Sequence, residues 1–110
     1  MLTNVKEAEH IKALADYIVA ATAPVKLYLF GSFAENKATD ESDYDFYIVV
    51  QDATADTLDM ATKAYKALRG KKNRPVDIVV GKESRFEERK AWPLTVESEV
   101  FKKGILLYGQ

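Results

Sequence analysis

The feature that most constrains this chain is a pair of short β-favouring runs in which carboxylates occupy one parity only. They are Asp43-Tyr44-Asp45-Phe46-Tyr47-Ile48-Val49-Val50 and Pro75-Val76-Asp77-Ile78-Val79-Val80. Successive side chains of a strand point to opposite faces. Phe46, Ile48 and Val50 therefore share one apolar face with Val76, Ile78 and Val80, while Asp43, Asp45 and Asp77 fall on the other. Asp77 interrupts an otherwise apolar run, where a carboxylate is costly unless it is exposed, paired or bound to a metal. If the two strands are neighbours in one sheet, three acids converge near their ends, with Asp43 and Asp45 about 6–7 Å apart along the backbone.

The remaining elements fit around this pair. Asn4 and Glu7 offer a capping box for a first helix, in which Ile11, Leu14, Ala15, Ile18 and Val19 recur at helical spacing until Pro24. Lys26 to Phe30 reads as a strand that runs into Gly31-Ser32, a tight turn opening a short helix. Leu58, Ala61, Tyr65 and Leu68 mark one face of a helix ended by Gly70, and Gly81 closes the Pro75–Val80 strand. Ser84 and Glu87 suggest a second capping box, with Pro93 breaking that helix. A final helix is expected over Thr95 to Lys103, and a final strand over Ile105 to Tyr108. Alternating strands and helices predict an α/β (α+β) fold, a small mixed β-sheet with helices packed mainly on one face. At 110 residues the expectation is one domain, residues 1–110.

Composition removes several kinds of chemistry. With no Cys, thiolate zinc sites and Cys nucleophiles are excluded, and the single His10 rules out a site needing two imidazoles. Sixteen Lys and Arg against 17 Asp and Glu give a net charge of −1, so direct nucleic-acid binding, which needs a basic excess, is not expected. No apolar run approaches the roughly 20 residues of a membrane span, and the first residues do not read as a signal peptide. A soluble, cytoplasmic protein is the expectation. One basic run, Lys63, Lys66, Arg69, Lys71, Lys72 and Arg74, reads as a solvated helix end or else as a phosphate- or partner-binding surface.

Paired carboxylates are hard oxygen donors suited to Mg²⁺ or Mn²⁺, and a glycine at a strand-to-helix turn lets backbone N–H groups approach an anion. Asp43, Asp45 and Asp77 as metal ligands, facing Gly31 and Ser32 as a phosphate cradle, describe a nucleoside triphosphate site. Two simpler motifs fail. A P-loop starting at Gly31 has Asn36 in place of its second Gly and Ala38 in place of Ser or Thr. An EF-hand starting at Asp43 has no Gly at its sixth position and Thr54 at its twelfth. His10 reads as a surface residue and Trp92 and Phe101 as core or interface packing. Tyr28, Tyr44, Tyr47 and Tyr65 read as half-buried.

Gly31-Ser32, Ser42-Asp43-Tyr44-Asp45 and Asp77 resemble the signature of the DNA polymerase β-like nucleotidyltransferase superfamily. The small size and the ending Val100 to Tyr108 resemble its minimal nucleotidyltransferase (MNT) branch. The resemblance implies that Asp43 and Asp45 share two Mg²⁺ ions, that Asp77 joins them at one ion, and that Gly31 and Ser32 hold the β- and γ-phosphates of ATP. It further implies an antitoxin paired with a HEPN-domain toxin, silencing it by transferring AMP to a tyrosine hydroxyl. Two alternatives stand beside this: an antitoxin acting by occlusion, and a transferase acting on a small molecule or an RNA end. Where many members carry Arg-Gly after the Gly-Ser-x-Ala stretch, this chain has Glu35-Asn36, which removes a cation near the phosphates.

Overall fold

The computed structural model describes residues 5–109. Its elements run α1 (Val5–Thr22), β1 (Lys26–Phe30), β2 (Tyr44–Val50), α2 (Thr57–Leu68), β3 (Val76–Lys82), α3 (Glu83–Arg89), α4 (Val96–Lys103) and β4 (Ile105–Tyr108). The strands form one sheet in the order β3-β2-β1-β4. β1 pairs antiparallel with β2 and β4, while β2 and β3 are parallel. A parallel pair needs a crossover, which α2 supplies. The mixed sheet is the one that the alternation of elements predicts.

Both faces of the sheet are covered. On one face the two long helices pack Ile11, Leu14, Ile18, Ala64 and Leu68 against Leu27, Leu29, Phe46, Ile48 and Val50. This is the apolar parity that the two strand runs predict, and Val76, Ile78 and Val80 join it. On the other face the short α3 and α4 bring Phe86 and Val100 onto Tyr28, Tyr47 and Val49. β2, central and covered on both sides, is buried at every position but Asp45.

Several local expectations are corrected. The Asn4 half of the first capping box lies outside the described residues. β2 starts at Tyr44 rather than Asp43, and β3 continues through Gly81 to Lys82. Ser84 does not cap α3: the cap position is Lys82, and the Ser84 N–H donates to Asp52 Oδ1 at 2.9 Å. On α2 the inward residues are Ala64 and Leu68, with Leu58 and Tyr65 exposed. The Tyr65 hydroxyl is nevertheless used, accepting the Ile78 N–H at 2.9 Å and so occupying a donor of the edge strand β3. Tyr28, Tyr44 and Tyr47 are buried, not half-buried, while Trp92 and Phe101 are exposed beneath the cations of Arg89 and Lys90. His10 is half-buried, 3.3 Å from the Tyr44 hydroxyl and 3.0 Å from the Lys71 carbonyl.

Candidate active site

Register brings the predicted residues together. Phe30 lies opposite Asp45 across β1 and β2, so Gly31 leaves β1 directly beside that carboxylate. On the other side Asp45 is level with Asp77 across β2 and β3. Asp43 immediately precedes β2, two residues from Asp45. Gly31 has φ +76°, and a Cβ there would fall onto the Asp45 carboxylate. The position thus requires glycine twice over, for conformation and for close approach.

From Gly31 the chain does not form the expected short helix. It makes a run of hydrogen-bonded turns, with Glu35 N–H donating to the Gly31 carbonyl (3.1 Å) and Lys37 N–H to the Ser32 carbonyl (2.9 Å), before Asn36 takes a positive φ of 59°. Buried Phe33 and Ala34 anchor these turns in the core. The rest of the connection to β2 is held by Arg74, whose guanidinium donates to the Ser42 carbonyl at 2.9 Å and stacks over Phe33 and Tyr44. Arg74 also pairs with Glu7 at 3.8 Å. The residue just before Asp43 is therefore fixed by an arginine that sequence reasoning grouped with a solvated or ligand-binding basic run. In that run Lys63 pairs with Asp59 and Lys71 lies over Tyr17. The run serves packing as much as charge.

The carboxylates face one another without a counter-charge. Among the described residues no Lys, Arg or His stands within ion-pair distance of Asp43, Asp45 or Asp77. Asp45 is pushed up to about 6, first by desolvation, then by the charges of Asp77, Asp43 and Glu99 and by a hydrogen bond with Asp77. Convergence is thus partial: Asp45 and Asp77 are level across neighbouring strands, and Asp43 acts on Asp45 through its charge. Among the described residues no three acids stand close enough to ligate one ion in this arrangement. The donor set nevertheless fits a hard divalent cation, since it is all oxygen, anionic and lacking any protein cation.

Two further side chains belong to this corner, and the sequence reading singled out neither. Glu99 of α4 adds a fourth negative charge near Asp45. Lys103, in the last turn of α4, reaches Glu35 at 3.8 Å. Only tertiary packing sets α4 against the end of β1, so no spacing in the sequence could have signalled them.

The family model described as polymerase beta, nucleotidyltransferase matches residues 12–110. No curated protein matches the sequence. Among solved structures, the fold is similar to a protein of Sulfolobus solfataricus classed as a nucleotidyltransferase, with TM-score 0.61 and 19% identity over 93% of this chain and 79% of that one. It is also similar to a toxin–antitoxin solved with AMP-PNP (TM-score 0.56, 20% identity, 90% of this chain and 73% of that one). A toxin–antitoxin MntA-HpeT mutant matches with the same TM-score and coverages at 18% identity. At such identities the structural likeness is one of fold, and the assignment rests on the family match. That match runs from within α1 through β4 and takes in every acid of this corner, which places the chain in the polymerase β nucleotidyltransferase family, as a nucleotidyltransferase.

Proposed function

We propose that this nucleotidyltransferase moves AMP from ATP to a tyrosine hydroxyl of a HEPN-domain partner toxin in the cytoplasm, as the antitoxin of the pair. The observation that carries the transfer site is the three-way adjacency of Gly31, Asp45 and Asp77. Asp43, Asp45 and Asp77 would hold Mg²⁺, with Mn²⁺ as a substitute. When bound, such ions offset the charge that builds on the transferring phosphate. Gly31 and Ser32 would hold the β- and γ-phosphates through backbone N–H groups and the Ser32 hydroxyl. The acceptor hydroxyl gives up its proton to solvent as its oxygen attacks the α-phosphorus in line, the bond to the bridging oxygen breaks, and pyrophosphate leaves. Asp77 is exposed on an edge strand, the side from which an acceptor hydroxyl can enter. The two toxin–antitoxin neighbours support a protein acceptor.

One observation favours occlusion without transfer: a carboxylate, Glu35, stands on the phosphate-facing turn. Mass spectrometry of the partner separates the two readings. Transfer predicts that the partner gains the mass of AMP with ATP and Mg²⁺, and that Asp77→Asn abolishes the gain. A partner neutralised equally well by the Asp43→Asn/Asp45→Asn variant, with no mass gain, would establish occlusion instead.

A further inference from the structure

A triphosphate brings several negative charges to a corner that already holds Asp43, Asp45, Asp77 and Glu99, so protein cations there matter. Among the described ion pairs, two ammonium groups converge on the phosphate-facing turn. Lys37 is 3.6 Å and Lys103 3.8 Å from the same oxygen, Oε1 of Glu35. Lys37 belongs to the turn itself, but Lys103 arrives from α4, and its position is fixed by backbone. Gly104, directly after it, packs so tightly that a Cβ would strike the Val100 carbonyl and lie 3.0 Å from the Leu29 carbonyl. Ile105 then pairs with Leu29 in the sheet. Lys103 is thereby anchored beside the strand end that becomes Gly31. A groove of about 450 Å³ runs along α4 with Glu99, Lys102 and Lys103 on its wall. Glu35 is mostly buried while both lysines are largely exposed, so the carboxylate is the fixed member and the ammonium groups the movable ones.

We propose that Lys103 is a nucleotide-binding residue, which contacts the β- and γ-phosphates, and that Glu35 holds it and Lys37 over the turn until the phosphates displace the carboxylate as their partner. This rests on the triphosphate site proposed above and adds a residue and an exchange of partners to it. A phosphate oxygen is a strong acceptor for an ammonium, and one lost charge-assisted contact weakens binding by about tenfold.

Titration calorimetry of the full chain with ATP, ADP and AMP in Mg²⁺ tests it. Lys103→Ala should weaken ATP and ADP by about tenfold and leave AMP unchanged, with Lys103→Arg close to wild type. Glu35→Gln should tighten ATP severalfold, and the gain should shrink in the Lys103→Ala background. Lys12→Ala, whose partner Asp16 lies on the same helix, is the control for loss of any surface cation. Lys103 is 62% exposed, so an unchanged melting temperature is expected and confirms folding. If wild type binds ATP no better than AMP, the triphosphate site itself is wrong and the inference falls with it. If wild type prefers ATP and Lys103→Ala keeps that preference, the inference alone is overturned. If Glu35→Gln weakens ATP binding, the exchange of partners is overturned.

Discussion

Two carboxylates on the same side of the sheet are treated in opposite ways. Glu97 of α4 is 2% exposed, and its oxygens accept from the Tyr47 hydroxyl at 2.8 Å and the Arg89 guanidinium at 3.0 Å, with Arg85 at 3.8 Å. Burial alone would raise its pKa, yet those hydrogen bonds and the Arg89 charge more than reverse this and hold it below the usual carboxylate value. Asp45, two residues before Tyr47 on β2, has no cation within ion-pair distance among the described residues and is pushed up to about 6, first by desolvation and then by neighbouring acids. Where a carboxylate is part of the scaffold, the fold surrounds it with donors. Where it is left among like charges, the fold carries strain that a bound cation would relieve.

The largest test of this contrast is Glu97→Ala. It leaves Arg89 without its partner and the buried Tyr47 hydroxyl without its acceptor, and should cost about 3 kcal/mol in urea unfolding. A change within about 0.5 kcal/mol would show that Glu97 is no part of the scaffold.

A smaller change of opposite sign should follow from Asp45→Asn. The folded-state pKa of Asp45 lies above its unfolded value, so its contribution is present at low pH and is lost as pH rises through about 6. In chelator at pH 7.5 the variant should be more stable than wild type by about 1–2 kcal/mol, allowing for solvent screening at a partly exposed group. The gain should fade below pH 5. Glu97 gives the reverse slope, its stabilisation being lost as pH falls through its lowered pKa. An Asp45→Asn variant no more stable than wild type at pH 7.5 would remove the contrast.

The smallest effect sharpens where scaffold ends and site begins. Arg74→Lys keeps the charge but loses the planar group that stacks on Phe33 and Tyr44 while bonding the Ser42 carbonyl. It should cost about 1 kcal/mol by chemical denaturation and speed amide exchange between residues 39 and 43. Exchange there unaltered would mean that the Asp43 segment is fixed by something else.

Much of this was legible in the sequence, for a physical reason. A strand has a side-chain period of two, so the parity of Asp45 and Asp77 against Phe46, Ile48, Val76 and Ile78 follows without any knowledge of the sheet. α1 was equally readable, because 18 residues repeat its apolar stripe several times. The second core was not. Its covering helices have seven and eight residues, too few for a stripe to stand out, and so Tyr28 and Tyr47 looked half-buried. Glu97 in the first turn of a helix reads as a favourable charge at a dipole, and nothing local announces that it points inward. Of the two readings of Trp92 and Phe101, core or interface packing, the core one fails: in this chain they lie under cations at the surface. Arg74 was hidden by its basic neighbours.

The pairing of β1 with β4 has a kinetic consequence. The acidic half of the site is built from β2, α2 and β3, which follow one another along the chain. The glycine turn joins them through the nearby β1–β2 pair, whereas Lys103 depends on a corner where β1 meets the distant β4. Non-local pairings of this kind have a high contact order and close late, after nearer contacts have formed. On a ribosome the three aspartates and the glycine turn can therefore assemble first, while Glu99 and Lys103 wait for α4 and β4 to emerge. A nascent chain would then set its aspartates against the glycine turn before it gains the lysine of α4.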